Sequence, residues 1–145
     1  MKKFFQIETR QDYLNIILLI VRVSVAALMI THGLPKLTKL LAGGEIKFGD
    51  PIGLGPAFSL VLVVFAEFFC SIFIGIGLGT RLASIPLIIT MSVAAFIVHA
   101  SDPIGGKEKA LLFLLIYLTL LVIGSGKFSI DYLLTNRKSK STVEH

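Results

Sequence analysis

The chain has 145 residues, 54% of them hydrophobic and 16% charged, and a mean hydropathy of +0.86. A soluble domain is usually about 45–50% apolar and about 25% charged, so this composition excludes an ordinary water-soluble globular protein. The net charge of +5 sits in tails and connections between apolar blocks, which fits the positive-inside rule and speaks against nucleic-acid binding.

An α-helix needs roughly 20 apolar residues to cross the hydrocarbon core. Four blocks approach that length: Leu14–Leu34, Ala57–Gly79, Leu82–Ala100 and Ala110–Gly124. None alternates polar with apolar residues, as a barrel strand must. In lipid the backbone must satisfy its own hydrogen bonds, so such runs are helical. The expected fold is therefore all-α: an integral membrane antiparallel four-helix bundle over residues 1–134. Its helices fall at about 14–34, 57–79, 82–100 and 107–126, the last being shortest and needing its flanks to span.

The first block is too long for a cleaved signal sequence and contains Arg22, so it reads as a retained helix. After it, Pro35–Ala42 interleaves Leu37, Leu40 and Leu41 with Lys36 and Lys39. That pattern suits a short amphipathic helix on the membrane surface, ended by Gly43–Gly44. The rest of the connection to Pro56 is glycine-rich and long enough for a lid or a plain connector. The second block holds Glu67 and Cys70. One cysteine permits neither an intramolecular disulfide nor dithiol chemistry, and Cys70 reads as a packing residue. Ser71, Gly75 and Gly79 recur every four residues, a small-residue face for close helix approach.

On the third block, Arg81, Ser84, Ser92, Ala95 and His99 share one stripe. On the fourth, Glu108, Leu112, Leu115, Thr119 and Gly126 do so, and on the first Arg22, Met29, Gly33 and Lys36, with His32 at the margin. Thr135–His145 is a polar tail expected to lack fixed structure. The tails and the 2–3 turn carry Lys2, Lys3, Arg10, Arg81, Lys127, Arg137, Lys138 and Lys140, against Lys36, Lys39, Lys47, Lys107 and Lys109 in the other connections. That asymmetry favours both termini in the cytoplasm.

Ionisable groups inside a span are expensive, so Arg22 and Glu67 point to a role. At 1.5 Å per residue, Arg22 lies about 12 Å from one edge and Glu67 about 15 Å from the other, depths that predict an Arg22–Glu67 ion pair. Such a pair staples two helices, or holds a ligand or relays a proton. Near the outer end, His32 and His99 close the first and third blocks, with Asp102, Lys107 and Glu108 in the following turn. Two histidines on different helices also suit bis-histidine haem ligation, but nothing fixes their spacing. No metal site and no intrinsic cofactor is expected.

In order along the chain, several pieces resemble the DoxX family of small four-helix bacterial membrane proteins. They are Arg22; His32-Gly33-Leu34-Pro35-Lys36-Leu37; Glu67 through Gly75; Gly79-Thr80-Arg81-Leu82-Ala83; His99; Lys107 through Leu111; and Gly124 through Asp131. The resemblance spans nearly the whole chain. It implies a multi-pass protein of the bacterial inner membrane, linked to thiosulfate:quinone oxidoreduction, to quinone and catechol resistance, or to complexes that handle thiol and oxidative stress.

The leading functional expectation is a redox-associated protein that takes a quinone-like molecule in an inner cleft, or the membrane subunit of such a system. Glu67, His32 and His99 are its candidate proton-transfer groups, and Arg22, Lys36 and Glu108 its candidate substrate contacts. Electrons would come from a soluble or membrane oxidoreductase partner, since the chain shows no nucleotide motif, dithiol or cluster ligands. Two alternatives stand beside it: a non-enzymatic scaffold for soluble redox enzymes, and a small-molecule or lipid-binding carrier, which needs a homo-oligomer because four short helices are few.

Overall fold

The computed structural model describes residues 11–141, and in them the chain is helical with no strand. Helix α1 spans Gln11–Leu41. Helix α2 spans Pro56–Ile76 and α3 spans Thr80–Val98. Helix α4 spans Ile104–Ile123 and a short α5 spans Ile130–Ser141. Helices α1, α2 and α3 are long and apolar enough to cross a membrane. Helix α4 lies along α3 and completes the bundle. Its apolar part starts only at Ala110, after Lys107, Glu108 and Lys109, so the stretch to Ile123 covers about 21 Å at 1.5 Å per residue. The chain folds as a helical bundle of an integral membrane protein.

Two sequence expectations are corrected here. The surface helix expected after Leu34 does not separate from the first span: α1 continues through Pro35 to Leu41. Proline has no N–H to donate to the carbonyl four residues back, but Gly33 and Lys36 on either side hold the helix against α2. A Cβ on Gly33 would lie 2.8 Å from the Glu67 carbonyl carbon, so the two backbones touch there. The helix does end before Gly43 and Gly44, both at positive φ. At the other end, α5 runs to Ser141, so the polar segment from Thr135 begins as helix. Lys2, Lys3 and Arg10, and residues 142–145, lie outside the described residues.

The core is a file of apolar side chains from all four long helices, including Val25, Met29, Ile74, Leu87, Met91 and Leu120. Cys70 is 2% exposed and packs within it. Between membrane helices close packing replaces the hydrophobic effect as the driving force. Small residues permit it: a Cβ on Gly75 would come within 3.2 Å of the Ala26 Cβ. Gly79 behaves differently from Ser71 and Gly75. It has φ 58° and no neighbour within 4 Å of a built Cβ, so it serves the α2–α3 turn. The outer surface is lined by exposed Leu, Ile, Val and Phe, as lipid contact requires.

Both α2 and α3 contain a π-helical turn, at Phe65–Cys70 and Ala94–Val98. The first lies in the middle of α2 and the second at the end of α3 away from the termini, and π-turns inside α-helices are frequent at functional sites. The connection between α1 and α2 crosses this same end. Asp50 organises it, accepting from the amides of Leu54 at 2.8 Å and Gly55 at 2.9 Å and from the Ser59 hydroxyl at 3.0 Å. Desolvation opposes its charge, but these donors together with the Gly53 amide outweigh it and hold the Asp50 carboxyl below its ordinary range.

Candidate functional site

Arg22 and Glu67 do not meet. Arg22 is 1% exposed and lies near the level of Ile74 and Gly75, about 10 Å below Glu67 along α2. The depth argument fails because α1 starts earlier and runs longer than its apolar block. The guanidinium donates to the carbonyls of Ile74 at 2.9 Å, Gly75 at 3.3 Å and Phe128 at 2.9 Å, and also to that of Ser125. Five N–H donors in a planar fork suit such a cage. The segment Gly124–Asp131 thus folds back beneath the bundle. Asp131 accepts from the amides of Gly79 at 2.7 Å and Thr80 at 3.3 Å, and its own amide donates to the Gly77 carbonyl. Gly77 must be glycine there, since at φ 73° a Cβ would lie 2.6 Å from the Ser129 Cβ and 2.9 Å from the Arg22 Cζ. Arg22 latches α1 and α2 to this segment and does not line the cavity beside Glu67.

Glu67 instead pairs with Lys36, whose Nζ lies 2.5 Å from Oε2. The extra helical turns of α1 beyond Leu34 carry Lys36 over the carboxylate. The Glu67 side chain is 5% exposed and that of Lys36 30%, so the pair is anchored inside and reaches outward. It lines a cavity of about 170 Å³ between α1, α2, α3 and α4. His32, His99, Met29, Met91 and Phe113 line the same cavity, and so does Lys109. Four of the six residues singled out from sequence, Glu67, His32, His99 and Lys36, therefore converge. Arg22 and Glu108 do not.

Glu108 is exposed because α4 turns another stripe inward. Tyr117 and Leu120 are fully buried, with Ala110 and Phe113 packed against the core, while Leu112 is 54% and Leu115 63% exposed. The expected stripe of α4 faces lipid, and Lys109 takes the place given to Glu108. The expected stripe of α1 faces inward as written: Arg22, Met29 and Gly33 are buried.

The π-turns frame the cavity. Glu67 lies within the first, and His99 follows the second directly. The His99 ring is held by Asp102, Nδ1 to Oδ2 at 2.7 Å, which leaves Nε2 as its second nitrogen for other partners. His32 meets the Phe113 ring edge-on at 6.0 Å, and Phe113 stacks on Tyr117 at 6.2 Å. Tyr117 is the residue that sequence reading missed. Its hydroxyl is buried without a well-formed hydrogen bond, beside Ser71 and within electrostatic reach of Glu67. The available signal was its depth: tyrosines of membrane helices favour the interfaces, and this one sits mid-helix. Among the described residues no three His, Cys, Asp or Glu side chains group as a metal site.

This arrangement offers a desolvated carboxylate with its cationic partner, two imidazoles and an aromatic wall around a small cavity. Comparison with known proteins agrees with such a membrane bundle. The family model described as DoxX matches residues 17–100, a stretch that holds Arg22, His32, Lys36, Glu67 and His99. The chain is also similar to a Haemophilus influenzae protein carried as uncharacterized, 30% identical over 131 residues, covering 83% of this chain and 92% of the relative. No solved structure matches. With more than half of the chain inside the family match, and all but Lys109 of its charged or imidazole cavity groups within it, the protein belongs to the DoxX family.

Proposed function

We propose that the cavity at the end away from the termini binds the ring of a quinone-like molecule, and that Glu67, His32 and His99 exchange protons with it. The observation that carries this reading is the convergence of the Lys36–Glu67 pair and both histidines on one cavity walled by Met29, Met91 and Phe113. Cavities that enclose a drug-sized ligand run to roughly 300–1,000 Å³, so one of about 170 Å³ takes a single ring. A cavity of ~150 Å³ holds benzene. A quinone that accepts two electrons also takes up two protons to become the quinol. Both protons come from solvent: a histidine passes one on as imidazolium, and Glu67, ionised in its pair with Lys36, relays the other by taking it up and handing it to the ring, while Lys36 offsets negative charge on the ring oxygens. The electrons come from a soluble or membrane oxidoreductase, which makes this protein the membrane subunit of a redox system. We further place it in the bacterial inner membrane with both termini in the cytoplasm, on the strength of the basic residues at that end.

The test is extraction of the detergent-purified protein for isoprenoid quinone by mass spectrometry, with titration of a short-chain quinone. Wild type is expected to bind. Glu67→Gln and Lys36→Met, with helical circular dichroism retained, are expected to bind at least tenfold more weakly. With a donor partner present, Glu67→Gln is expected to slow turnover about 10²–10⁴-fold, the usual contribution of a general acid–base group. If wild type neither carries nor binds quinone, the redox-ligand reading fails.

A further inference from the structure

A second cavity, of about 570 Å³, opens at the end that carries the termini. It lies between the start of α1, the start of α3 and the Gly124–Asp131 segment, and Arg81, Lys127, Asn15, Thr80 and Tyr132 are among the residues lining it. The Thr80 hydroxyl is fully buried and has no hydrogen-bond partner. Arg81 donates one N–H to the Val122 carbonyl at 3.1 Å, and a guanidinium has five. Two carboxylates stand nearby. Both oxygens of Asp131 accept from backbone amides, and its charge faces Arg22. Asp12 lies 3.8 Å from Lys127, an exposed pair that solvent screens.

Gly79 and Leu82, which line this polar cavity, also line a third one of about 310 Å³ on the lipid side. That groove is otherwise formed by Phe65, Cys70, Phe73, Leu78, Ala83 and Pro86. From Phe73 up to Phe65 it follows α2 for about 12 Å. One leaflet of hydrocarbon is about 15 Å thick. A basic, polar chamber at headgroup level therefore continues, through Gly79 and Leu82, into an apolar groove that runs most of the depth of a leaflet.

We propose that this composite is a binding site for one anionic phospholipid of the leaflet on the termini side. Arg81 and Lys127 hold the phosphate, Asn15 completes the headgroup contacts, and an acyl chain lies along Phe65, Phe73, Leu82 and Pro86. A free phosphate or a soluble phosphorylated metabolite shares the headgroup chemistry, but has no use for the groove.

The experiment is native mass spectrometry of the full chain, titrated separately with phosphatidylglycerol, phosphatidylcholine and inorganic phosphate. Phosphatidylglycerol is expected to be retained at least tenfold better than phosphatidylcholine, with inorganic phosphate failing to displace it. A basic residue near an anionic membrane surface contributes about fivefold in binding. The Arg81→Gln/Lys127→Gln variant is therefore expected to lose the preference, while Phe73→Ala weakens both lipids alike. If the double variant does not fold, Lys127→Gln alone, which removes an exposed charge, is expected to lower the preference about fivefold. Equal binding of the two lipids, an unchanged preference in a folded variant, or displacement by inorganic phosphate overturns the proposal.

Discussion

Arg22 and Glu67 sit on neighbouring helices and do different jobs, and variants separate them. Arg22→Leu removes the donor from four backbone carbonyls. Leaving a buried group unpaired costs about 1–3 kcal/mol, so this variant is expected to lose several kcal/mol of stability in thermal denaturation in detergent. Arg22→Lys keeps the charge without the fork and recovers only part of that loss. Glu67→Gln leaves the latch intact and is expected to melt close to wild type while losing ligand. Gly33→Ala probes the close approach of α1 and α2. Its Cβ meets backbone atoms at 2.8–2.9 Å, and overpacking of this kind typically costs about 1–3 kcal/mol. The same melt reads it, and quinone affinity is expected to fall with it, because α1 carries Lys36.

At the scale of elements, apolar runs made the spans legible, and the face of α1 followed from the spacing of Arg22, Met29 and Gly33. Three things were not legible. Pro35 marks a helix stop in a lone sequence, yet the contacts of Gly33 and Lys36 with α2 carry the helix past it. The π-turn at Phe65–Cys70 has no compositional mark, although it presents Glu67. The inward face of α4 was misassigned because Ala110–Ile123 is apolar all round, so periodicity selects no side. The α1–α2 connection yields a pH prediction. The Asp50 carboxylate is held below its ordinary range, so its stabilisation of the loop is complete above that range and is lost as the pH falls through the depressed value. Limited proteolysis between Ala42 and Gly55 is expected to accelerate only below about pH 4. Asp50→Asn is expected to be cleaved faster at neutral pH, with a flatter pH profile.

For the whole molecule, the two ends are chemically distinct: one carries the ion pair and histidines, the other Arg81, Lys127 and the folded-back segment. In a Cys70→Ala background, Lys47→Cys is expected to react with an impermeant thiol reagent on intact spheroplasts, and Lys127→Cys only after lysis. The reverse pattern overturns the placement of the termini. The Arg22 cage also has a consequence for synthesis on the ribosome. Its acceptors at Ser125 and Phe128 lie 103 and 106 residues after the arginine that needs them. The first span therefore enters the bilayer carrying a charge whose final partners have not yet been translated. A nascent chain stopped at Ile123 holds all four long helices and still lacks half of that cage. Membrane quality-control proteases are expected to clear such a fragment much faster than the full-length chain, a difference that pulse–chase labelling would read directly.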